Sequence, residues 1–173
     1  MKVLKIIGTI LIALLLLFFS VGLIWPTFSY ESKVIVNAPI DQSWEVFTDT
    51  SHSSKWMEGF KSIKTISKEP DEVGSTYELI FNSNGEEIKL LETVTHYDVN
   101  NLYGMDIQSD VLYNESLIYF DSESDKTVIT AKNSVSGNGM FWKSLLYIMK
   151  STFQETSDQQ YEKLKKVIEN QSR

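Results

Sequence analysis

Between Phe60 and Gly137 the chain runs through six segments of strand character, each closed by a turn signal, with no helical pattern between them. "FKSIKTISK" ends at Glu69-Pro70-Asp71, and "STYELIFNS" ends at Asn84-Gly85, a dipeptide that favours a tight hairpin. "EEIKLLETVTHYDV" stops at Asn100-Asn101, "LYGMDIQS" at Asp110 and "VLYNESLIYFDS" at the Ser122–Asp125 cluster. "KTVITAKNSVS" closes at Gly137-Asn138-Gly139. Regular spacing of this kind indicates an antiparallel meander rather than βαβ units.

What flanks the meander decides how it is covered. Before it, "YESKVIVNAP" is a short strand with β-branched residues, ended by Asn-Ala-Pro. Pro39 suits the first helical position, where a missing N–H costs nothing, and Asp41 complements the helix dipole. Ile40, Trp44 and Phe47 mark one helical face, and "DTSHSSKWM" supplies a break and a second short helix. After the meander, "MFWKSLLYIMKSTFQETSDQQYEKLKKVIEN" reads as one long helix. Leu145, Met149, Phe153, Gln160 and Leu164 form its stripe, which Val167 and Ile168 continue. Its first half is apolar nearly all round and its second half is amphipathic. The expected class is α+β: an antiparallel sheet of about seven strands wrapped around a long C-terminal helix. Sheet and helix in that arrangement leave room between them for a ligand.

Residues Ile6 to Trp25, "IIGTILIALLLLFFSVGLIW", carry no ionisable side chain. Twenty helical residues span about 30 Å, the thickness of bilayer hydrocarbon. Lys2 and Lys5 precede the run, Trp25 suits an interface, and Pro26 stops the helix. A cleaved signal peptide is the competing reading, since Ser20-Val21-Gly22 is a tolerable cleavage site; the length of the run favours a retained anchor. The expected division is therefore residues 1–26 as a single-pass transmembrane anchor and 27–173 as one domain. The two lysines place the N-terminus in the cytoplasm and the domain outside. No cysteine is present, which excludes disulfides, thiolate metal sites, Cys nucleophiles and lipoprotein anchoring. Two histidines are too few for a multi-histidine metal site, and a net charge of −7 argues against nucleic acid.

The order of elements, with a strand leading into Asn37-Ala38-Pro39, then Ser43-Trp44, Asp49 and Trp56, resembles the helix-grip superfamily. That superfamily, the SRPBCC group, joins START-related lipid-transfer domains, pollen allergens and polyketide cyclase/dehydrases. The resemblance covers Tyr30 to Asn170, and "YEKLKKVIE" is similar to the family's closing helix. It implies a shared cavity and no universal catalytic set. Some bacterial members with similar sequences also carry an N-terminal membrane anchor.

Parity puts Tyr77, Leu79 and Phe81 on one strand face and Tyr103, Met105 and Ile107 on another. Leu145, Met149 and Phe153 would cover them from the long helix. These residues, with Trp56, are the candidate cavity wall; the alternative is that they fill a solid core. Trp44 has core packing as its default reading, whereas Trp56 either plugs one end of the cavity or touches a ligand. His96 reads as an ordinary strand-end residue and His52 as an exposed turn residue. Glu92, Glu115, Lys132 and Asp106 would become functional candidates if one pointed inward with a displaced pKa; solvent-facing positions are the preferred reading. The apolar stretch "GMFWKSLLYIM" either meets the bilayer or, as preferred here, lies under neighbouring loops. No phosphate loop, nucleophile elbow, His-Glu-x-x-His pair or EF-hand loop occurs. The leading expectation is a membrane-tethered, non-enzymatic carrier or sensor of a small hydrophobic molecule or lipid, with no catalytic residue, cofactor or metal assigned. The rivals are a cyclase, dehydratase or hydrolase using a polar group inside the cavity, and an interaction module with a filled core.

Overall fold

The computed structural model describes residues 2–83 and 85–171. A helix, α1 (Lys2–Ile24), leads into β1 (Thr27–Val36). Two short helices, α2 (Ile40–Thr48) and α3 (Ser53–Trp56), follow, joined by a 3-10 turn at Thr50–His52. The meander then comprises β2 (Phe60–Ser67), β3 (Thr76–Ser83), β4 (Glu86–Asp98), β5 (Leu102–Gln108), β6 (Leu112–Glu123) and β7 (Lys126–Gly137). Two helices close the chain, α4 (Met140–Ile148) and α5 (Lys150–Gln171).

The strands form one antiparallel sheet of seven in the order β1-β7-β6-β5-β4-β3-β2, the α+β architecture expected from the sequence. Consecutive members of the meander pair with each other, and β1 adds to the β7 edge. The crossover from β1 to β2 spans the whole sheet, and α2 and α3 supply that distance. Gly85 turns the β3–β4 hairpin with φ +89°, a region glycine enters without strain; Asn84 lies outside the described residues. Asp49 opens the 3-10 turn by accepting the Ser51 N–H at 2.8 Å, and that bond helps hold its carboxyl below the usual range.

The helical face expected at Ile40, Trp44 and Phe47 meets the concave side of the sheet, where Trp44 lies edge-on to Phe120 with ring centroids 5.2 Å apart. A large core gathers there from Val34, Val36, Trp44, Phe47, Ile118, Phe120, Leu164 and Ile168. A smaller one forms at the other end of the sheet from Phe28, Val135 and Leu146, with Tyr30, Leu112 and Phe153 packed against it. Polar bonds fix α5 across β1: Ser32 Oγ donates to Ser157 Oγ at 2.8 Å, and Gln154 donates to the Glu31 carbonyl at 2.8 Å.

The single C-terminal helix expected over "MFWKSLLYIM…VIEN" is interrupted at Met149, whose ψ of 6° ends α4. The change of pattern within the segment accounts for the break. The half that is apolar all round packs on α1 and β7, whereas the amphipathic half lies along β1. A straight helix could not serve both surfaces. The stretch Met140–Ile148 is therefore not covered by loops: one side rests on α1, and Met140, Phe141 and Ile148 remain exposed.

Candidate functional site

Between the two cores, the sheet and α5 bound a cavity of about 670 Å³, within the roughly 300–1,000 Å³ typical of small-molecule sites. The alternation of β-strands builds its floor, because every second residue of the concave face is aimed at it. Leu79 and Phe81 come from β3, Ile88 and Leu90 from β4, Met105 and Ile107 from β5. Helix α5 roofs the space with Phe153, Thr156 and Tyr161, and Met149 stands at the α4–α5 break.

Six of the nine wall residues expected from sequence line this cavity: Trp56, Leu79, Phe81, Met105, Met149 and Phe153. Three do not. Tyr77 shares the face of Leu79, but its hydroxyl is engaged by Lys68 at 3.1 Å and Glu72 at 3.2 Å at the sheet's rim. Tyr103 lies behind the wall, edge-on to Phe47 at 5.4 Å and Tyr97 at 5.9 Å, because the bulk of α2 fills that part of the concave face. The stripe that includes Leu145 assumes one continuous helix; the break at Met149 leaves Leu145 on α4, away from the floor. Trp56 packs in the core and borders the cavity at once. It is 4% exposed within the large core, stacked with Phe47 at 5.8 Å, and its ring also borders the cavity. Its indole N–H is buried with no acceptor among the described residues.

The sequence reading missed a polar band in the floor. Pairing across β4, β5, β6 and β7 aligns Glu92, Ile107, Asn114 and Val135 in one row, and Met105, Ser116 and Asn133 in the next. Glu92, Asn114, Ser116 and Asn133 all reach the cavity. Ser116 Oγ donates to Asn133 Oδ1 at 2.5 Å. Glu92 is only 7% exposed, and Tyr103 donates its O–H to Glu92 Oε1 at 2.8 Å. Burial pushes the Glu92 carboxyl above its ordinary value, and the Tyr103 bond opposes this only in part. Burial also drives the phenols of Tyr30 (up to about 12) and Tyr161 upward, so both stay neutral in the wall.

The solvent-facing reading therefore fails for Glu92, which points inward between Leu90 and Val94. It holds for the others. Asp106 and Glu115 share the Tyr113 hydroxyl on the convex face, and Lys132 lies over the Tyr119 ring there at 5.3 Å. His96 is exposed, and His52 is engaged with Lys55 and Gln171 outside the cavity. Among the described residues no cluster of His, Asp and Glu has the grouping to hold a metal ion. The site can enclose an apolar body and offer it one buried carboxyl, whose pKa burial raises, and a few amide and hydroxyl groups.

Residues 27–169 match the family model described as polyketide cyclase/dehydrase and lipid transport. No curated protein matches the chain. Solved structures share the fold at low identity. An aromatase/cyclase from a Streptomyces species is 12% identical over 85% of this chain and 96% of its own, with a TM-score of 0.69. TTHA0849 of Thermus thermophilus is 14% identical over 84% of this chain and 100% of its own, with a TM-score of 0.69. Ara h 8.0201 is 10% identical over 82% and 97%, with a TM-score of 0.66.

Proposed function

Because the chain belongs to the polyketide cyclase/dehydrase and lipid transport family, we propose that it is a membrane-tethered binding or transport domain for a small hydrophobic ligand, with lipids among the candidates. The observation that carries this reading is the cavity of about 670 Å³, walled mostly by apolar side chains and set between two separate cores. A chain that needed only a stable core would fill such a space, since packing normally leaves few voids larger than a water molecule. An interaction module with a filled core finds no support in that geometry. The tether rests on α1, whose side chains are exposed nearly throughout although almost all are apolar. Lys2 and Lys5 favour a cytoplasmic N-terminus with residues 27–173 outside.

Native mass spectrometry of the full chain released from detergent micelles, followed by extraction and identification of bound molecules, tests the proposal. Co-purification of one apolar molecule per chain is the expected result. A consistently empty protein without affinity for fluorescent fatty acids or phospholipids would overturn it. An intact mass lacking the N-terminal apolar run would remove the tether alone.

One observation favours a second reading. Glu92 is a buried carboxyl facing an apolar space, and carboxyls held protonated in that way serve enzymes as general acids. Under this reading Glu92→Gln abolishes turnover of a bound substrate while leaving its binding intact.

A further inference from the structure

We propose that α4 is itself a membrane contact, embedded beside the end of α1, and that it holds the mouth of the cavity against the bilayer. The inference rests on the reading of α1 as a membrane span. It adds a second contact surface and a route for the ligand.

Depth follows from how α1 and α4 touch. The two helices meet closely at Gly22, whose N–H lies 3.1 Å from Ser144 Oγ. A Cβ at Gly22 would stand 2.6 Å from that oxygen and 2.7 Å from the Ser144 nitrogen, so only glycine allows the approach. Ring contacts extend the seam in both directions. Trp25 stacks on Tyr147 with centroids 5.1 Å apart and planes 9° apart, and Phe18 packs on Phe141 at 5.6 Å. Trp25 suits the interface level. Phe18 precedes it by seven residues, which at 1.5 Å per residue is about 10 Å along the helix towards the bilayer centre. Phe141, in contact with Phe18, is carried to a similar depth.

The surface that α4 turns away from the protein suits that environment. Met140, Phe141, Ile148 and Met149 are 42%, 50%, 56% and 40% exposed. Although the chain carries a net charge of −7, the stretch from Gly137 to Lys150 holds two lysines and no carboxylate. Lys150 sits over the Tyr147 ring at 4.8 Å, at the end of α4 where it can reach headgroup phosphates. A helix that exposes an apolar face and carries lysines but no carboxylate is the pattern of helices that enter the interface, about 5–10 Å into the headgroup and acyl boundary.

Met149 links this surface to the cavity. It is part of the exposed α4 face, and it also lines the cavity beside Thr152 and Phe153. A hydrophobic molecule can therefore pass between leaflet and cavity along Met149 without crossing water.

The absence of cysteine makes the test direct. Single cysteines are introduced by Phe141→Cys, Ile148→Cys, Leu11→Cys in mid-α1 and Ile66→Cys on β2, all at exposed positions, and labelled with bimane. Each full-length variant is reconstituted into phosphatidylcholine/phosphatidylglycerol vesicles containing nitroxide lipids. Labels at 141 and 148 are expected to be blue-shifted and quenched several-fold more than the label at 66, the label at 148 most strongly by nitroxides near the headgroup and the label at 141 by nitroxides further down the acyl chain. Deep nitroxides should quench the label at 11. Quenching at 11 with none at 141 and 148 overturns the inference and leaves the tether standing. A blue shift at 141 without quenching assigns the face to a protein partner or second copy, and also overturns it. No quenching at 11 removes the tether and this inference together. Gly22→Ile, which wedges the helices apart, should reduce quenching at 141 without reducing it at 11.

Discussion

Replacing Glu92 by Gln keeps an acceptor for the Tyr103 hydroxyl and removes the titrating proton. Its effect on stability can be worked from the environment of the carboxyl. Unfolded, the group titrates near 4.5; folded, its pKa is higher because burial disfavours the charged form more than the Tyr103 bond favours it. The native state then holds the proton more tightly than the unfolded one. Stability is undiminished below 4.5, falls as pH rises towards the folded pKa, and stays at the lower level beyond it. Glu92→Gln has no such descent. The two proteins should unfold alike in acid and diverge above 4.5, with the Gln variant the more stable at neutral pH. The gap is about 1.4 kcal/mol for each tenfold by which the fold tightens the proton. For a chain of this size each kcal/mol moves Tm by about 2–4 °C.

Thermal unfolding followed by near-ultraviolet circular dichroism, in one detergent across that pH range, reads the divergence. Tyr103→Phe sharpens the experiment. It removes the donor at 2.8 Å, so the carboxyl rises further and the descent extends to higher pH. The lost bond itself costs about 0.5–1.5 kcal/mol. Curves for wild type and Glu92→Gln that stay parallel from acid to neutrality would refute the reasoning, as would a Gln variant weaker at neutral pH. Either outcome would mean that Glu92 is ionised and adequately solvated in the fold.

The two tryptophans of the α2–α3 segment should behave differently. Trp44→Ala is expected to cost about 3–5 kcal/mol in urea denaturation, because its buried ring packs on Phe120 and Tyr97 in the large core. Trp56→Phe removes an N–H without an acceptor and atoms that border empty space, so it should destabilise less than Trp44→Phe. Met105→Trp adds bulk into the cavity instead of into packed core, where overpacking costs about 1–3 kcal/mol. It should preserve Tm and abolish the co-purifying ligand in native mass spectra. A fall in Tm with the ligand retained would place the ligand elsewhere.

Strand segments were legible because their punctuation is local. Asn-Gly, Asn-Asn and Gly-Asn-Gly set chain reversals by backbone preference, and the long-range pairing of β1 with β7 then follows from the order of elements. The break at Met149 was less legible. The stripe of a single helix and the stripes of two helices with different partners look alike in sequence, and what separates them here is the partner α1. Glu92 escaped for a different reason. Parity assigns a strand face only when one face is consistently apolar, yet β4 has Leu91 on the outer face and Glu92 on the inner. A carboxylate among Leu90, Val94 and the cavity runs against the pattern that parity relies on. Tyr103 was misplaced because strand parity gives the face and not the depth: its face also serves α2, and Trp44 and Phe47 occupy it first.

The polar content of the cavity bears on carriage against catalysis. Catalysis that pairs an acid with a base needs, beside Glu92, a second group that can take a proton near neutral pH. Around Glu92 the other titratable groups of the inner wall are the phenols of Tyr30 and Tyr161, both driven upward by burial. Glu58 lines only the rim, exposed and paired with Lys163 at 2.9 Å. Both histidines lie outside. In its protonated form, which burial favours, the Glu92 carboxyl can donate a hydrogen bond to an oxygen of the ligand, with the Ser116–Asn133 pair one row further along the floor. That arrangement orients an apolar molecule carrying one oxygen function, and leaves unoxidised hydrocarbon with a buried carboxyl it cannot satisfy. A hydroxylated or carbonyl-bearing apolar probe should therefore compete for the cavity more strongly than the matched hydrocarbon. The preference should shrink in Glu92→Leu, and equal competition by the two probes in wild type would mean that Glu92 does not face the ligand.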